Sequence, residues 1–121
     1  MTTTIEAYHL IKRYPNQGKM DPAALDGVDL KIESGQLYGL VGPDGAGKTT
    51  LIRILSTVIL PTSGTAKVAG YDILKQAQKV RPHLGYMPQA FSLYPDLSVI
   101  ENLRFFADIN GVPKSKQKER I

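Results

Sequence analysis

The sequence lacks cysteine altogether and has only two histidines, His9 and His83. The absence of cysteine excludes disulfides, thiolate zinc sites, iron–sulfur clusters and a thiol nucleophile. The two histidines stand alone, which argues against a metal site built on histidine. No stretch approaches the roughly 20 apolar residues that span a bilayer, and the N-terminal residues do not resemble a secretory signal. We therefore expect a cytoplasmic chain whose membrane role must come through a partner.

Composition and charge favour one folded domain. Hydrophobic residues make up 42% of the 121 residues, which is typical of a globular chain and not of a disordered one. Lys and Arg number 15 against 11 Asp and Glu, giving a formal net charge of +4. Most of this excess lies in residues 114–121, where four basic residues oppose one glutamate. Such a short run is typical of a solvated helix face, so we expect no nucleic-acid partner.

Alternating hydrophobic patterns predict an α/β fold in which strands come first. Residues 28–32 alternate apolar and polar side chains as a half-buried strand does, whereas residues 37–41 are apolar throughout and predict a buried central strand. Further strands are predicted at residues 65–68 and 84–87. We expect a right-handed β-α-β core with the glycine-rich loop at the C-terminal end of strand 37–41, and an exposed sheet edge.

Helical spacing of apolar residues predicts the remaining elements. The first helix follows the glycine-rich loop, ends before Pro61 and has an apolar face of Leu51, Ile52, Ile54, Leu55, Val58 and Ile59. The second is capped by Asp72, is limited by Pro82 and carries Ile73, Leu74, Ala77 and Val80 on one face. The third begins with a capping box of Ser98 and Glu101, buries Val99, Leu103 and Phe106, and ends at Asn110 and Gly111. Another helix begins near the last residues.

Residues 42–49 satisfy the pattern G-x-x-x-x-G-K-[S/T], which predicts a polyphosphate site. Glycines let backbone amides approach phosphate oxygens, and the dipole of the following helix adds partial positive charge. Lys48 would supply a full charge between the β- and γ-phosphates, the Thr49 hydroxyl suits Mg²⁺, and Thr50 can donate to the α-phosphate. By average composition, a chain of this length matches the pattern by accident roughly once in 250.

With three further landmarks in order, this loop resembles the nucleotide-binding domain of ABC transporters from about residue 5 to residue 121. Residues 10–14 are similar to the family's adenine-stacking segment, and residues 42–50 to its Walker A loop. Residues 61–64 resemble the turn after its first helix, and residues 85–89 its Q-loop. Within the family, the sequence most resembles the ATP-binding subunits of YbhF-type ABC-2 exporters.

The resemblance implies ATP and Mg²⁺ as cofactors and assigns roles to residues that are ambiguous by themselves. Alone, Tyr14 also fits a residue that closes a strand, and Gln89 fits an ordinary loop glutamine; by resemblance, Tyr14 stacks on adenine and Gln89 approaches Mg²⁺ and the attacking water. Asp44 departs from the asparagine of most members and would repel phosphate unless it points away or meets a cation. The implied catalytic residues are Lys48 and Gln89, the implied metal ligands are Thr49 and Gln89, and the implied nucleotide contacts are Tyr14, Gly42, Pro43, Asp44, Gly45, Ala46, Gly47, Lys48, Thr49 and Thr50.

The function implied is that of the ATP-binding subunit of an exporter, at the inner face of the membrane, with a transmembrane permease subunit and a second nucleotide-binding domain as partners. After Gln89 the sequence has no signature motif, Walker B strand or switch histidine. We therefore interpret residues 1–121 as the truncated N-terminal part of a single ABC-type ATP-binding domain, able to bind ATP but not to hydrolyse it. Two alternatives stay open: an ABC-type ATPase that powers no transport, and a small nucleotide-binding module complete in itself. Residues 91–103 favour a transporter subunit, by resemblance.

Overall fold

A computed structural model describes residues 3–16, 18–89 and 93–121, which fall into two compact units, Met1–Gly85 and Tyr86–Ile121. The first unit contains strands and two helices: β1 (Thr3–Lys12), β2 (Leu25–Glu33), α1 (Lys48–Leu55), β3 (Ser63–Val68), β4 (Tyr71–Asp72) and α2 (Ala77–Val80), which continues into a single 3₁₀ turn, Arg81–His83. The second unit contains α3 (Val99–Ile109) and α4 (Lys114–Arg120). Residues 91 and 92, part of the segment that suggested a transporter subunit, lie outside the described residues.

The described strands form one antiparallel sheet in the order β2-β1-β3-β4. Ala7 of β1 lies opposite Leu30 of β2 on one side and Ala66 of β3 on the other, so β1 is an inner strand that is in register with both neighbours. The predicted strands at residues 28–32 and 65–68 are confirmed as parts of β2 and β3. With β2 pairing only to β1 among the described strands, the sheet presents an open edge there.

One extra residue in β1 interrupts its alternation of side chains. Ala7 pairs with Leu30 and Leu10 pairs with Val28, so a step of three residues on β1 faces a step of two on β2, and His9 in this bulge has a positive φ of 49°. The bulge returns the chain to its inward face, so that Ala7 and Leu10 are both buried although they are three residues apart. On β3, a Cβ at Gly64 would overlap the carbonyl oxygen of His9, and φ is +91° there. Glycine is therefore required beside the bulge.

Helix α1 packs its apolar face into the core of the first unit. Leu51, Ile54 and Leu55 are buried together with Leu10 of β1 and Val80 of α2. Ile52, predicted on the buried face, is 43% exposed because it lies away from the sheet. The helix also ends earlier than predicted, at Leu55 and well before Pro61, since Thr57 has a positive φ of 63°, which a right-handed helix does not allow.

Two predicted strands are wrong. Residues 37–41 have no strand pairing, and Leu37 and Val41 are 104% and 94% exposed. Residues 84–87 likewise form no strand. A continuous apolar strand needs hydrogen-bonded neighbours on both sides and cover on both faces, and the strands of the described sheet pair only among themselves. The expected parallel β-α-β crossover is consequently absent from the part of the chain that the structure describes.

Asp72 caps a turn in place of a long second helix. Its Oδ1 accepts hydrogen bonds from the amides of Leu74 at 2.8 Å and Lys75 at 3.0 Å, and α2 begins only at Ala77. These amides, that of Lys75 first, hold the pKa of Asp72 below its ordinary value of 3.8. The apolar residues that were expected on one face of that helix therefore differ in burial. Ile73 is buried, whereas Leu74 is 48% exposed.

The second unit has the predicted capping box but not the predicted buried face. The Ser98 amide donates to Glu101 Oε1 at 2.9 Å, and the Glu101 amide donates to Ser98 Oγ at 3.2 Å. The helix ends at Asn110, followed by Gly111 in the left-handed region, as expected. However, Val99 is 77% exposed.

Asn102, whose polarity placed it outside every hydrophobic pattern, is the buried residue of α3. Its side chain accepts a hydrogen bond from the Tyr94 amide and donates to the carbonyl oxygens of Tyr94, Leu97 and Ser98. These bonds hold the loop before the helix. Leu103, expected inside, is 48% exposed, and Phe106 is half-buried and contacts the ring of Phe105 edge-on. The helix faces that were expected to bury apolar side chains therefore do so only in part.

Candidate nucleotide site

Residues 42–50, the phosphate loop, form a tight turn that leads directly into α1. The Ala46 amide donates to the Pro43 carbonyl oxygen at 3.2 Å, and Gly45 has a positive φ of 84°. Helix α1 begins at Lys48 with Gly47 as its N-cap, so no N-cap side chain accepts a hydrogen bond from its first amides. The first intrahelical bond is from the Leu51 amide to the Gly47 carbonyl, which leaves the three amides before Leu51 for an anion.

The Lys48 side chain folds back over this loop. Its ammonium donates to the carbonyl oxygens of Gly42 and Pro43, the latter at 2.8 Å. Two of the three ammonium donors are thus used to hold the cation at the mouth of the loop, and the third can reach a ligand. The side chain is half-buried, so solvent screens its charge less than that of a fully exposed lysine.

Gly47 has a structural role that the motif alone does not reveal. Its φ is +98°, and a Cβ there would overlap the carbonyl oxygen of Ala24, just before β2. The same substitution would place the Cβ 3.0 Å from the Leu25 side chain. The loop therefore packs directly on the start of β2, and this close contact fixes where α1 begins.

Tyr14 lies next to the first turn of α1. Its hydroxyl is 3.0 Å from Thr50 Oγ1, and Thr50 is only 8% exposed. Either hydroxyl can be the donor; if Tyr14 donates, the Thr50 hydrogen can be directed at a phosphate. The structure thus brings the predicted base-stacking residue to the phosphate loop, although 36 residues separate it from Thr50 in sequence.

The remaining predicted site residues occupy different surroundings. Thr49 is exposed in the first turn of α1, and Asp44 is exposed in the turn of the phosphate loop, where solvent can screen its charge. Gln89 is exposed and belongs to the second unit, outside any helix or strand. Among the described residues, no group of three or more His, Asp or Glu side chains could hold a metal ion.

The donor set suits a nucleotide triphosphate. The amides at the start of α1 donate hydrogen bonds and Lys48 supplies a positive charge, as a polyphosphate requires. The aromatic side chain of Tyr14 lies within hydrogen-bond distance of the same helix. The fold and site thus define a P-loop nucleotide-binding protein. Within the described residues, no helix is both long enough and apolar enough to cross a membrane.

Comparison with known proteins gives the family. Residues 25–121 match the ABC transporter family. The chain is 44% identical over 119 residues to the ABC transporter ATP-binding protein YbhF of Escherichia coli strain K12, covering 98% of this chain and 20% of that protein. It is 39% identical over 121 residues to the Nod factor export ATP-binding protein I of Cupriavidus metallidurans, covering 100% and 38% of the two chains. The chain therefore belongs to the ABC transporter family.

The fold is similar to that of solved ATP-binding cassettes. One is the dimeric, post-hydrolysis state of the cassette MJ0796 bound to ADP and Pi, which is 25% identical with a TM-score of 0.77 and is matched over 96% of this chain and 53% of that one. This similarity confirms the predicted fold class. The present chain spans only about a fifth to a half of the lengths of these relatives.

Proposed function

We propose that this chain binds Mg-ATP through its phosphate loop and Tyr14, as part of the ATP-binding subunit of an exporter. The observation that carries the proposal is the convergence on α1 of three features: a lysine held at the loop mouth, helix-terminal amides without an N-cap side chain, and a tyrosine bonded to Thr50. Phosphate would bind the amides and the Lys48 ammonium, while the base would stack on Tyr14. When bound, Mg²⁺ would offset phosphate charge, with Thr49 as its ligand from the first unit, while the predicted role of Gln89 as a metal ligand stays a prediction.

We assign ATP binding, but not ATP hydrolysis, to residues 1–121. Hydrolysis needs a general base and groups that cover the γ-phosphate, and residues 1–121 contain neither a Walker B carboxylate nor a signature motif. The side-chain amide of Gln89 cannot accept a proton from water at neutral pH. We therefore expect a protein of these 121 residues to bind Mg-ATP and to release phosphate at the rate of buffer. Turnover that is lost in Lys48→Ala would contradict this.

The transport role is proposed from the relatives. The Nod factor protein is named as an export ATP-binding protein, and YbhF is named as the ATP-binding protein of an ABC transporter. We propose that the two units belong to one ATP-binding domain, which works at the cytoplasmic face of a membrane with a transmembrane permease subunit and a second nucleotide-binding domain. The dimeric state of the cassette MJ0796 supports the second partner.

Isothermal titration calorimetry of Lys48→Ala tests the proposed phosphate site. The change removes the ammonium that the loop carbonyls hold in place, and we expect Mg-ATP affinity to fall at least about 100-fold. Lys31→Ala, on an exposed position of β2, is the matched control and should bind as the unchanged protein does. Circular dichroism establishes that both variants are folded. Equal affinity in Lys48→Ala and the unchanged protein would overturn the proposal.

A further inference from the structure

Lys12 contacts the predicted base-stacking residue, although no motif marks it. Its Nζ lies 5.2 Å from the centroid of the Tyr14 ring, within the range of a cation–π interaction. The same Nζ donates a hydrogen bond to the Leu60 carbonyl oxygen at 2.8 Å. The ammonium is thus anchored by backbone on one side and faces the aromatic ring on the other.

The turn at residues 61–64 forms hydrogen bonds with the segment that carries Lys12. In the sequence this turn resembles a family landmark to which no functional role is assigned. The Arg13 amide donates to Thr62 Oγ1 at 2.9 Å, and Thr62 Oγ1 donates to the Arg13 carbonyl oxygen at 3.3 Å. The Thr62 amide in turn donates to the Ile11 carbonyl oxygen at 2.8 Å. Hydrogen bonds to Thr62 therefore join the residues on both sides of Lys12 to the segment that follows Leu60.

We propose that Lys12 is a positioning residue of the base site: its ammonium, anchored on Leu60, sets the plane of the Tyr14 ring on which the nucleotide base stacks. The contacts of the ring include Lys12 near its face and Thr50 at its hydroxyl. A base that stacks on Tyr14 would do so on the side of the ring away from the ammonium. Holding the ring in advance lowers the ordering cost of binding. This inference rests on the proposed function.

Calorimetry with two ligands separates this role from a general charge effect. We expect Lys12→Met to weaken Mg-ATP binding about threefold to tenfold, the range of a cation–π contact, while Mg-tripolyphosphate, which has no base, binds as before. Lys12→Arg retains a cation over the ring and should restore ATP affinity. Lys12→Gln keeps a donor for Leu60 without the charge and should behave like Lys12→Met. Lys31→Met, which removes a distant lysine of the same strand pair, should change neither affinity.

A double-mutant cycle with Tyr14→Leu shows whether Lys12 acts through the ring. In the Tyr14→Leu background, Lys12→Met should cause no further loss of ATP affinity. The proposal is overturned if Lys12→Met weakens both ligands equally, if it leaves ATP affinity unchanged, or if its effect persists without Tyr14. If Tyr14→Leu alone leaves ATP affinity unchanged, both the proposed base site and the proposed role of Lys12 are overturned. The phosphate site is tested separately, by Lys48→Ala. Thermal unfolding of the apo variants establishes that each is folded.

Discussion

The hydroxyl groups of Tyr14 and Thr50 lie 3.0 Å apart and join the segment after β1 to the first turn of α1. Thr50 is almost completely buried, so its hydroxyl would be costly to leave without a partner. Through this pair, the residue proposed to bind the base and the helix proposed to bind the phosphates form one connected site.

Tyr14→Phe tests the hydroxyl pair without removing the aromatic ring. We expect the free energy of unfolding to fall by about 1 kcal/mol, because the buried Thr50 hydroxyl loses a hydrogen bond. Mg-ATP affinity should fall less than in Tyr14→Leu, since the stacking surface remains. Urea unfolding and calorimetry measure the two quantities. A Tyr14→Phe variant as stable as the unchanged protein would show that the pair contributes nothing to the fold.

Gly64→Ala should be among the most damaging single changes in β3. The added Cβ would overlap the His9 carbonyl oxygen at a φ of +91°, and the nearest atoms are all backbone atoms of His9 and Leu10, which cannot move aside as a side chain can, so we expect a loss of about 3 kcal/mol or more. Gly70→Ala is the matched control: its φ is +82°, but nothing lies within 4 Å of its Cβ, so only the left-handed conformation costs, about 1 kcal/mol. Equal destabilisation of the two variants, measured by chemical denaturation, would refute the close contact.

Glu101 links the stability of α3 to pH. Hydrogen bonds from the Ser98 amide and then its side chain hold the pKa of Glu101 below its ordinary value of 4.5. Because the folded pKa is lowered, the stabilisation is complete above pH 4.5 and is lost as the pH falls through the folded value. Glu101→Gln keeps an acceptor for the Ser98 amide but does not titrate, so its melting temperature should fall less between pH 6 and pH 3. Identical pH dependence of the two proteins would contradict the assignment.

The sequence predicts best what depends on neighbours in the chain. The capping box of Ser98 and Glu101, the left-handed Gly111 and the turn that precedes α1 follow from local backbone chemistry, and all appear in the structure. The prediction of a strand at residues 37–41 is wrong, because the hydrophobicity of a segment does not determine whether other strands pair with it. Asn102 could not be identified as buried, since its burial depends on carbonyl oxygens at residues 94–98.

In the candidate site, too, the sequence predicts the local features but not the contacts between distant segments. The motif identifies Lys48 and the glycines, because each fixed position supplies a charge or a backbone conformation that phosphate binding requires. It does not reveal that Gly47 packs on Ala24, or that Lys12 lies against the Tyr14 ring. Those contacts join segments that are distant along the chain, and only the folded structure brings them together.

Amide chemical shifts of the isotope-labelled protein, followed by NMR while Mg-ATP is added, show whether the phosphate loop and Tyr14 bind the nucleotide. We expect saturable shifts that are largest at Gly45, Gly47, Lys48 and Thr49, with a change in the Tyr14 ring signals, and no such shifts in Lys48→Ala. Saturable binding that leaves residues 42–50 unperturbed would contradict it.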